Sequence, residues 1–243
     1  MRPPLLRIPA FPRRAATRSL PPTLLLAALL ACTAAIPAAR AQQLLFDYVG
    51  FDYESPNPDP NTFGEPGSGY VGLGTVPFLF APLVSNTALN EYTFVIQGLS
   101  PSSVLPVGNF NIINYTSGTV TIYEDAKSGG TPGTFTPNPP NGDVPGTFTD
   151  GTVILVGSLT NFQLVINTTN GVGSFEAVFN ATGGSQLSNF PLNQRTGWTF
   201  SGTTGEALNI PEGYAHQIDG QTFLDAAVAT HKMTWGRLKA GYK

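Results

Sequence analysis

The sequence predicts an all-β fold: a single antiparallel β-sandwich of the jelly-roll or immunoglobulin-like kind, with a closed β-barrel as the alternative. Short runs of aromatic and β-branched residues are separated by Gly, Asn, Thr and Pro, as in strands joined by turns. Several of these runs alternate apolar and polar residues, which is the period of a strand with one buried face. No long helical pattern alternates with the runs, which disfavours a parallel βαβ fold.

The first 41 residues indicate a cleavable export signal. Five arginines precede an apolar run that begins at Leu24, and small residues around Ala41 form a cleavage site. Basic, apolar and small-residue regions in this order are typical of secretory signals, and the run is shorter than the ~20 residues that cross a bilayer. We predict a bacterial protein that is secreted, periplasmic or at the cell surface and starts at Gln42. Lipidation at Cys32 is the alternative.

The clearest strands lie in the middle of the chain. Tyr92, Phe94 and Ile96 share one face of a strand predicted at 91–97. Asn170-Gly171 is typical of a type I′ turn, so the strands on either side of it are predicted to form a hairpin. Ser117-Gly118 has a weaker hairpin character. Further strands are predicted at 110–115, 119–123, 152–157, 161–168, 173–180 and 197–201.

The end of the chain differs in composition from the rest. Residues 222–229 are rich in helix-forming residues, and the last twelve positions hold four basic residues. The sequence therefore predicts a β-sandwich domain over 42–221, followed by a short C-terminal helix or a basic tail over 222–243.

Charge and cysteine content limit the classes of partner and site. Six of the twelve basic residues lie in the signal and all fifteen acidic residues follow it, so the mature chain has a formal charge of −9. An acidic surface disfavours nucleic acid as a partner. Cys32 is the only cysteine, so the mature chain is predicted to be free of disulfides and thiolate metal sites. No transmembrane segment is predicted after cleavage.

Four stretches of the mature chain, 148–155, 189–198, 211–220 and 234–237, have a familiar pattern. They include Phe-Thr-Asp-Gly-Thr, Asn-Phe-Pro-Leu-Asn-Gln-Arg and Pro-Glu-Gly-Tyr. Together they resemble a group of uncharacterised bacterial exported proteins that are β-rich and have no assigned activity. The resemblance implies export and a β-rich fold, and it brings no functional residues with it.

The candidate ligand-binding residues are Trp198, Tyr214, His216 and Asp219. A histidine beside an aspartate can act as a base with its orienting group, or as a pair of metal ligands. Aromatic rings can stack on sugars when exposed. A loop histidine held by local hydrogen bonds and aromatics buried in the core are the alternative interpretation.

Calcium is the one cofactor that the sequence leaves open. Asp47, Asp52, Asp59 and Asn61 supply the oxygen ligands that calcium prefers, in a loop-rich segment near the start of the mature chain. No twelve-residue EF-hand loop is present. The predicted role of this ion is structural.

These observations give three functional hypotheses. The first is a non-enzymatic surface, envelope or extracellular-matrix protein with a surface or polysaccharide partner, because the sequence contains no Gly-x-Ser-x-Gly elbow and no zinc spacing. The second is a carbohydrate-binding module. The third is a glycoside hydrolase that uses paired carboxylates, such as Asp47 with Asp52 or Glu124 with Asp125.

Overall fold

The computed structural model describes residues 42–56, 63–135, 146–205 and 208–225. The export signal and the basic tail after residue 225 lie outside these residues and stay predictions. The described strands are β1 (Gln42–Ser55), β2 (Gly69–Leu79), β3 (Asn90–Leu99), β4 (Pro101–Val107), β5 (Phe110–Tyr115), β6 (Gly118–Ala126), β7 (Thr152–Asn167), β8 (Gly173–Gly183), β9 (Trp198–Gly205) and β10 (His216–Asp225).

The strands form one antiparallel sheet that closes into an eight-stranded barrel in the order β1-β2-β3-β6-β7-β8-β9-β10. The first and last strands close it, since β1 pairs with β10 from Gln42↔Asp225 to Asp52↔His216. The predicted sandwich is therefore wrong, and the barrel alternative is correct. The physical reason is that closure pairs the backbone N–H and C=O groups that the edge strands of an open sheet would leave unpaired.

One pair of neighbouring strands extends beyond the barrel wall as a hairpin made of β4 and β5. Strand β7 pairs with β6 in its first half and with β5 in its second half. The change of partner occurs beside Asn161, which has a φ of 55° and lies in a register shift between β7 and β8. The predicted Ser117-Gly118 hairpin is wrong, because β5 and β6 follow each other along the same edge of β7.

The hairpin predicted around Asn170-Gly171 is confirmed by the pairing of β7 with β8, which starts at Ile166↔Gly173. The predicted type I′ turn is wrong, because it requires positive φ at both residues and only Gly171, with a φ of 65°, has it. The predicted C-terminal helix is wrong where the structure describes it, because Thr222–Asp225 end strand β10. Pairing with β1 outweighs the helical propensity of this segment. The described helices are three-residue 3₁₀ turns at Gly146–Phe148, Leu187–Asn189 and Leu192–Gln194, and none of them could span a membrane.

Aromatic side chains fill much of the barrel interior. Tyr48 stacks on Phe200 with ring centroids 4.9 Å apart, and Phe179 stacks on Trp198 at 5.0 Å. All four are fully buried. Tyr48 lies flat over the neighbouring strand: a Cβ at its cross-strand partner Gly220 would lie 2.3 Å from the Tyr48 hydroxyl oxygen. Eight strands enclose a space that side chains of this size can fill.

A second, smaller cluster lies on the outer face of β1, β2 and β3. Tyr53 meets Tyr214 edge-on at 5.6 Å, and Phe135 packs against both Tyr214 and Phe148. The segments 131–135, 146–148 and 208–215 supply these covering residues. Thr93 on β3 anchors the cover by donating its hydroxyl to the Phe148 carbonyl at 2.9 Å.

Candidate functional site

A buried carboxylate and a buried imidazole meet at one end of the barrel interior. Asp52 on β1 and His216 at the start of β10 are cross-strand partners. Asp52 Oδ1 lies 3.0 Å from His216 Nδ1 and also accepts the His216 backbone N–H at 3.1 Å. The side chains are 0% and 1% exposed. Because a carboxylate only accepts, Nδ1 carries the shared proton.

A second buried carboxylate, Glu54, lies two residues further along β1 on the same inward face. It accepts hydrogen bonds from the Tyr115 hydroxyl (2.6 Å), the Ser68 hydroxyl (2.6 Å) and the Gly64 backbone N–H (2.9 Å). Burial raises the pKa of Glu54, and the three donors offset part of that rise. Glu54 thereby ties the 63–68 segment and β5 to β1.

Three polar atoms beside these groups make no hydrogen bond of good geometry with the described residues. They are Asp52 Oδ2, His216 Nε2 and the hydroxyl oxygen of Tyr70, and Tyr70 lies close enough to Asp52 for the two side chains to interact. Burial first, and then the charge of Asp52, raise the pKa of Tyr70 well above its ordinary value. Buried polar atoms without partners are uncommon, so this end of the barrel departs from ordinary core packing.

The imidazole is enclosed on the sides that the structure describes. Phe63 meets it edge-on with ring centroids 4.8 Å apart. A Cβ at Gly171, in the β7–β8 turn, would lie 2.8 Å from His216 Nε2. An aspartate-oriented histidine has the chemistry of a general base, but a base needs its substrate within hydrogen-bond reach. In this enclosed arrangement the Asp52–His216 pair joins β1 to β10, and the ring packs against the β7–β8 turn.

An open polar groove of about 620 Å³ lies on the outer wall, across β7, β8, β9 and β10. Its floor is a row of cross-strand neighbours in the order Gln163, Glu176, Ser201 and Gln221. Asp219 lies on the same wall, and its charge adds to partial burial in raising the pKa of the adjacent Asp47. The groove therefore presents amide, hydroxyl and carboxylate groups side by side.

The structure separates the four residues that the sequence proposes as ligand-binding. Trp198 is fully buried in the barrel interior, and Tyr214 belongs to the outer aromatic cluster. His216 faces inward to Asp52, whereas Asp219 is exposed on the groove wall. His216 and Asp219 are three residues apart on one strand, so their side chains point to opposite faces.

The proposed calcium ligands do not converge within the described residues either. Asp52 faces the interior and Asp47 lies on the outer wall. Asp59 and Asn61 lie outside the described residues. The residues that the structure describes hold no group of three or more His, Cys, Asp or Glu side chains arranged as metal ligands.

Sequence reasoning missed the pairing of Asp52 with His216 and the hub at Glu54. A signal was present, because Phe46, Tyr48, Asp52 and Glu54 share even-numbered positions on one strand. Alternation puts all four on the same inward face, and burial confirms it. Alternation could not identify the partner strand, because β10 lies far from β1 along the chain.

Comparisons of the chain with protein-family models, with curated proteins and with solved structures found no match.

Proposed function

We propose that this chain is an exported, non-enzymatic protein of the envelope or extracellular matrix that acts through the outer wall of its barrel. The observation that carries the proposal is the occupied interior, where stacked rings such as Phe179 and Trp198 take the space that ligand-binding barrels leave for a small molecule. The buried acid–histidine pair supports the same interpretation, because its covering residues keep it from solvent.

The groove on β7–β10 favours carbohydrate as the class of partner. Polysaccharides present arrays of hydroxyl groups, and these bind amide and carboxylate side chains that can accept or donate in pairs. Gln163, Glu176 and Gln221 offer such groups from three strands of a rigid wall, next to the exposed Asp219. A rigid wall holds these groups in position before binding, which lowers the entropic cost of association.

The test is binding of the purified protein to a panel of insoluble and soluble polysaccharides, with and without groove changes. We expect the double variant Glu176→Ala/Asp219→Ala to weaken binding about tenfold or more, since both carboxylates line the groove. The matched control is Glu65→Ala/Asp150→Ala, which removes two exposed carboxylates elsewhere. Equal loss in both double variants, or no binding to any polysaccharide, would contradict the carbohydrate assignment.

The non-enzymatic part of the proposal has its own measurement. Each polysaccharide is incubated with the protein and assayed for new reducing ends. We expect none above the level that the Glu176→Ala/Asp219→Ala variant gives. New reducing ends that disappear in this variant would instead support the glycosidase hypothesis, with the groove carboxylates as its acid and base.

A further inference from the structure

Strand β4 is a free edge of the sheet in the part of the chain that the structure describes. It pairs with β5 on one side and stands last in the strand order. Its apolar side chains are open to solvent: Leu105 is 57% exposed and Val107 is 51% exposed, next to the exposed Phe110 on β5. Edge strands with exposed apolar residues and no protecting charge are sites where another strand adds.

The hairpin turn determines which backbone groups of β4 point outward. Val107 and Phe110 flank the two-residue turn Gly108-Asn109, with Gly108 at a φ of 61°. In such a turn the flanking residues exchange hydrogen bonds with each other, and the direction then alternates along the strand. Val107 therefore bonds to β5, whereas Val104 presents both its N–H and its C=O to the free side. Pro106 presents a carbonyl alone, which suits a proline on an edge strand.

The distribution of charge along the chain allows a second copy to pair with the β4 edge. Between Gln42 and Asp225 the chain has fifteen acidic residues and two basic ones, Lys127 and Arg195. A second copy would therefore be repelled over most of that surface. The segment from Gln97 to Tyr123, which contains β4 and β5, has no charged residue, so two copies can meet there without that repulsion.

We propose that two copies of this chain associate by antiparallel pairing of their β4 strands about a two-fold axis at Val104. In this register each Val104 donates its N–H to the carbonyl of the other, so both outward groups of Val104 are satisfied. The exposed side chains of Leu105, Val107 and Phe110 are partly buried against the second hairpin. The contact is isologous and closes at two copies.

The experiment is sedimentation velocity on the exported protein over a range of concentrations. We expect a monomer–dimer equilibrium that added salt does not weaken, because the contact has no charges and salt screens the repulsion between the two acidic copies. Val104→Pro removes the outward N–H, and Leu105→Lys places like charges on both sides of the axis. Each is expected to weaken association about tenfold or more. The matched control Leu192→Lys changes another exposed leucine, far from β4, and is expected to leave the dimer intact.

Far-UV circular dichroism and the melting temperature establish that each variant is folded. If Val104→Pro does not fold, Leu105→Lys decides the question, because its side chain is exposed and bonds to nothing. A wild-type protein that stays monomeric over the whole range would overturn the proposal. So would a dimer that survives Leu105→Lys, since it would then use another surface.

Discussion

The two ends of the barrel interior have opposite chemistry. At one end Phe46, Phe179 and Trp198 pack in direct contact, with Phe179 and Trp198 stacked. At the other end the same strand β1 carries Asp52 and Glu54 into the interior. Both ends are equally buried, so exposure does not explain the difference. The apolar end is the arrangement that burial favours, whereas the polar end contains two carboxylates that burial penalises.

The comparison teaches that stability and arrangement come from different ends of the barrel. Buried polar pairs add little net stability, because desolvation offsets their attraction, but removing one partner is costly. The hydrogen bonds at the polar end join segments that are far apart in sequence: β10 to β1 through Asp52, and β5 to β1 through Glu54. We therefore expect the apolar end to supply stability and the polar end to fix which strands and loops meet.

The largest effect is expected at the apolar end. Trp198→Ala removes a fully buried indole that stacks on Phe179 and packs against Phe190. We expect a loss of about 3–5 kcal/mol in the free energy of unfolding, from lost burial and the cavity left behind. Urea unfolding followed by circular dichroism measures it. Leu192→Ala, at a residue that is 79% exposed, is the control and should change stability by less than about 0.5 kcal/mol. Similar losses in both variants would contradict this division of roles.

A double-mutant cycle at Asp52 and His216 tests the polar end. Each single change to Leu leaves one buried polar group without its partner, and we expect each to cost about 3 kcal/mol. The double variant Asp52→Leu/His216→Leu should cost clearly less than the sum, because neither member of the pair is then left without the other. Denaturant unfolding of the four proteins gives the coupling energy. Additive costs would mean that the 3.0 Å contact is incidental.

The sequence predicted the parts of this fold that depend on neighbouring residues. Alternation placed Tyr92, Phe94 and Ile96 on a buried face, and Asn170-Gly171 marked a real hairpin. It could not distinguish a sandwich from a barrel, since both bury alternate residues of each strand. Closure depends on the pairing of β1 with β10 across the length of the chain. No local pattern contains that information.

The candidate site shows the same limit in more detail. His216 drew attention as one of two histidines, and the aspartate closest in sequence was Asp219. Strand periodicity sends these two side chains to opposite faces, so proximity along the chain was misleading. The true partner, Asp52, becomes a neighbour only through the cross-strand register. The alternation of side chains along β1 could have shown that Asp52 faces inward, but only the closed barrel shows that it contacts His216.

A smaller effect that depends on pH is expected at Glu54. Burial raises its pKa above the ordinary 4.5, so the folded protein keeps a proton that the unfolded chain has already lost. The contribution of Glu54 to stability is therefore complete below pH 4.5 and declines as the pH rises through the raised pKa. Glu54→Gln should cost less than about 1 kcal/mol at low pH, because an amide and a protonated carboxyl both offer one acceptor oxygen and a donor. Gln does not titrate, so this cost should fall to zero or reverse as the pH rises.

Urea unfolding of the wild type and Glu54→Gln at a series of pH values from below 4.5 upward measures this gap. Glu65→Gln, at an exposed position, controls for the loss of a negative charge. A gap that widens with rising pH would mean that the three donors to Glu54 stabilise its carboxylate more than burial opposes it.

The smallest effect on stability is expected at Gly171, in the β7–β8 turn beside His216. Gly108, in the β4–β5 turn, serves as the comparison. Gly171 and Gly108 have nearly equal φ angles, 65° and 61°, and lie in the β7–β8 and β4–β5 hairpin turns. Alanine at either position costs about 1 kcal/mol, because a Cβ disfavours positive φ. Only at Gly171 would the Cβ also meet the imidazole, 2.7 Å from Cδ2, whereas Gly108 faces open space. Gly171→Ala should therefore cost more than Gly108→Ala in urea unfolding, and His216→Ala should remove the difference. Equal costs with His216 present would show that the turn does not press on the ring, and that the polar end is looser than its contacts indicate.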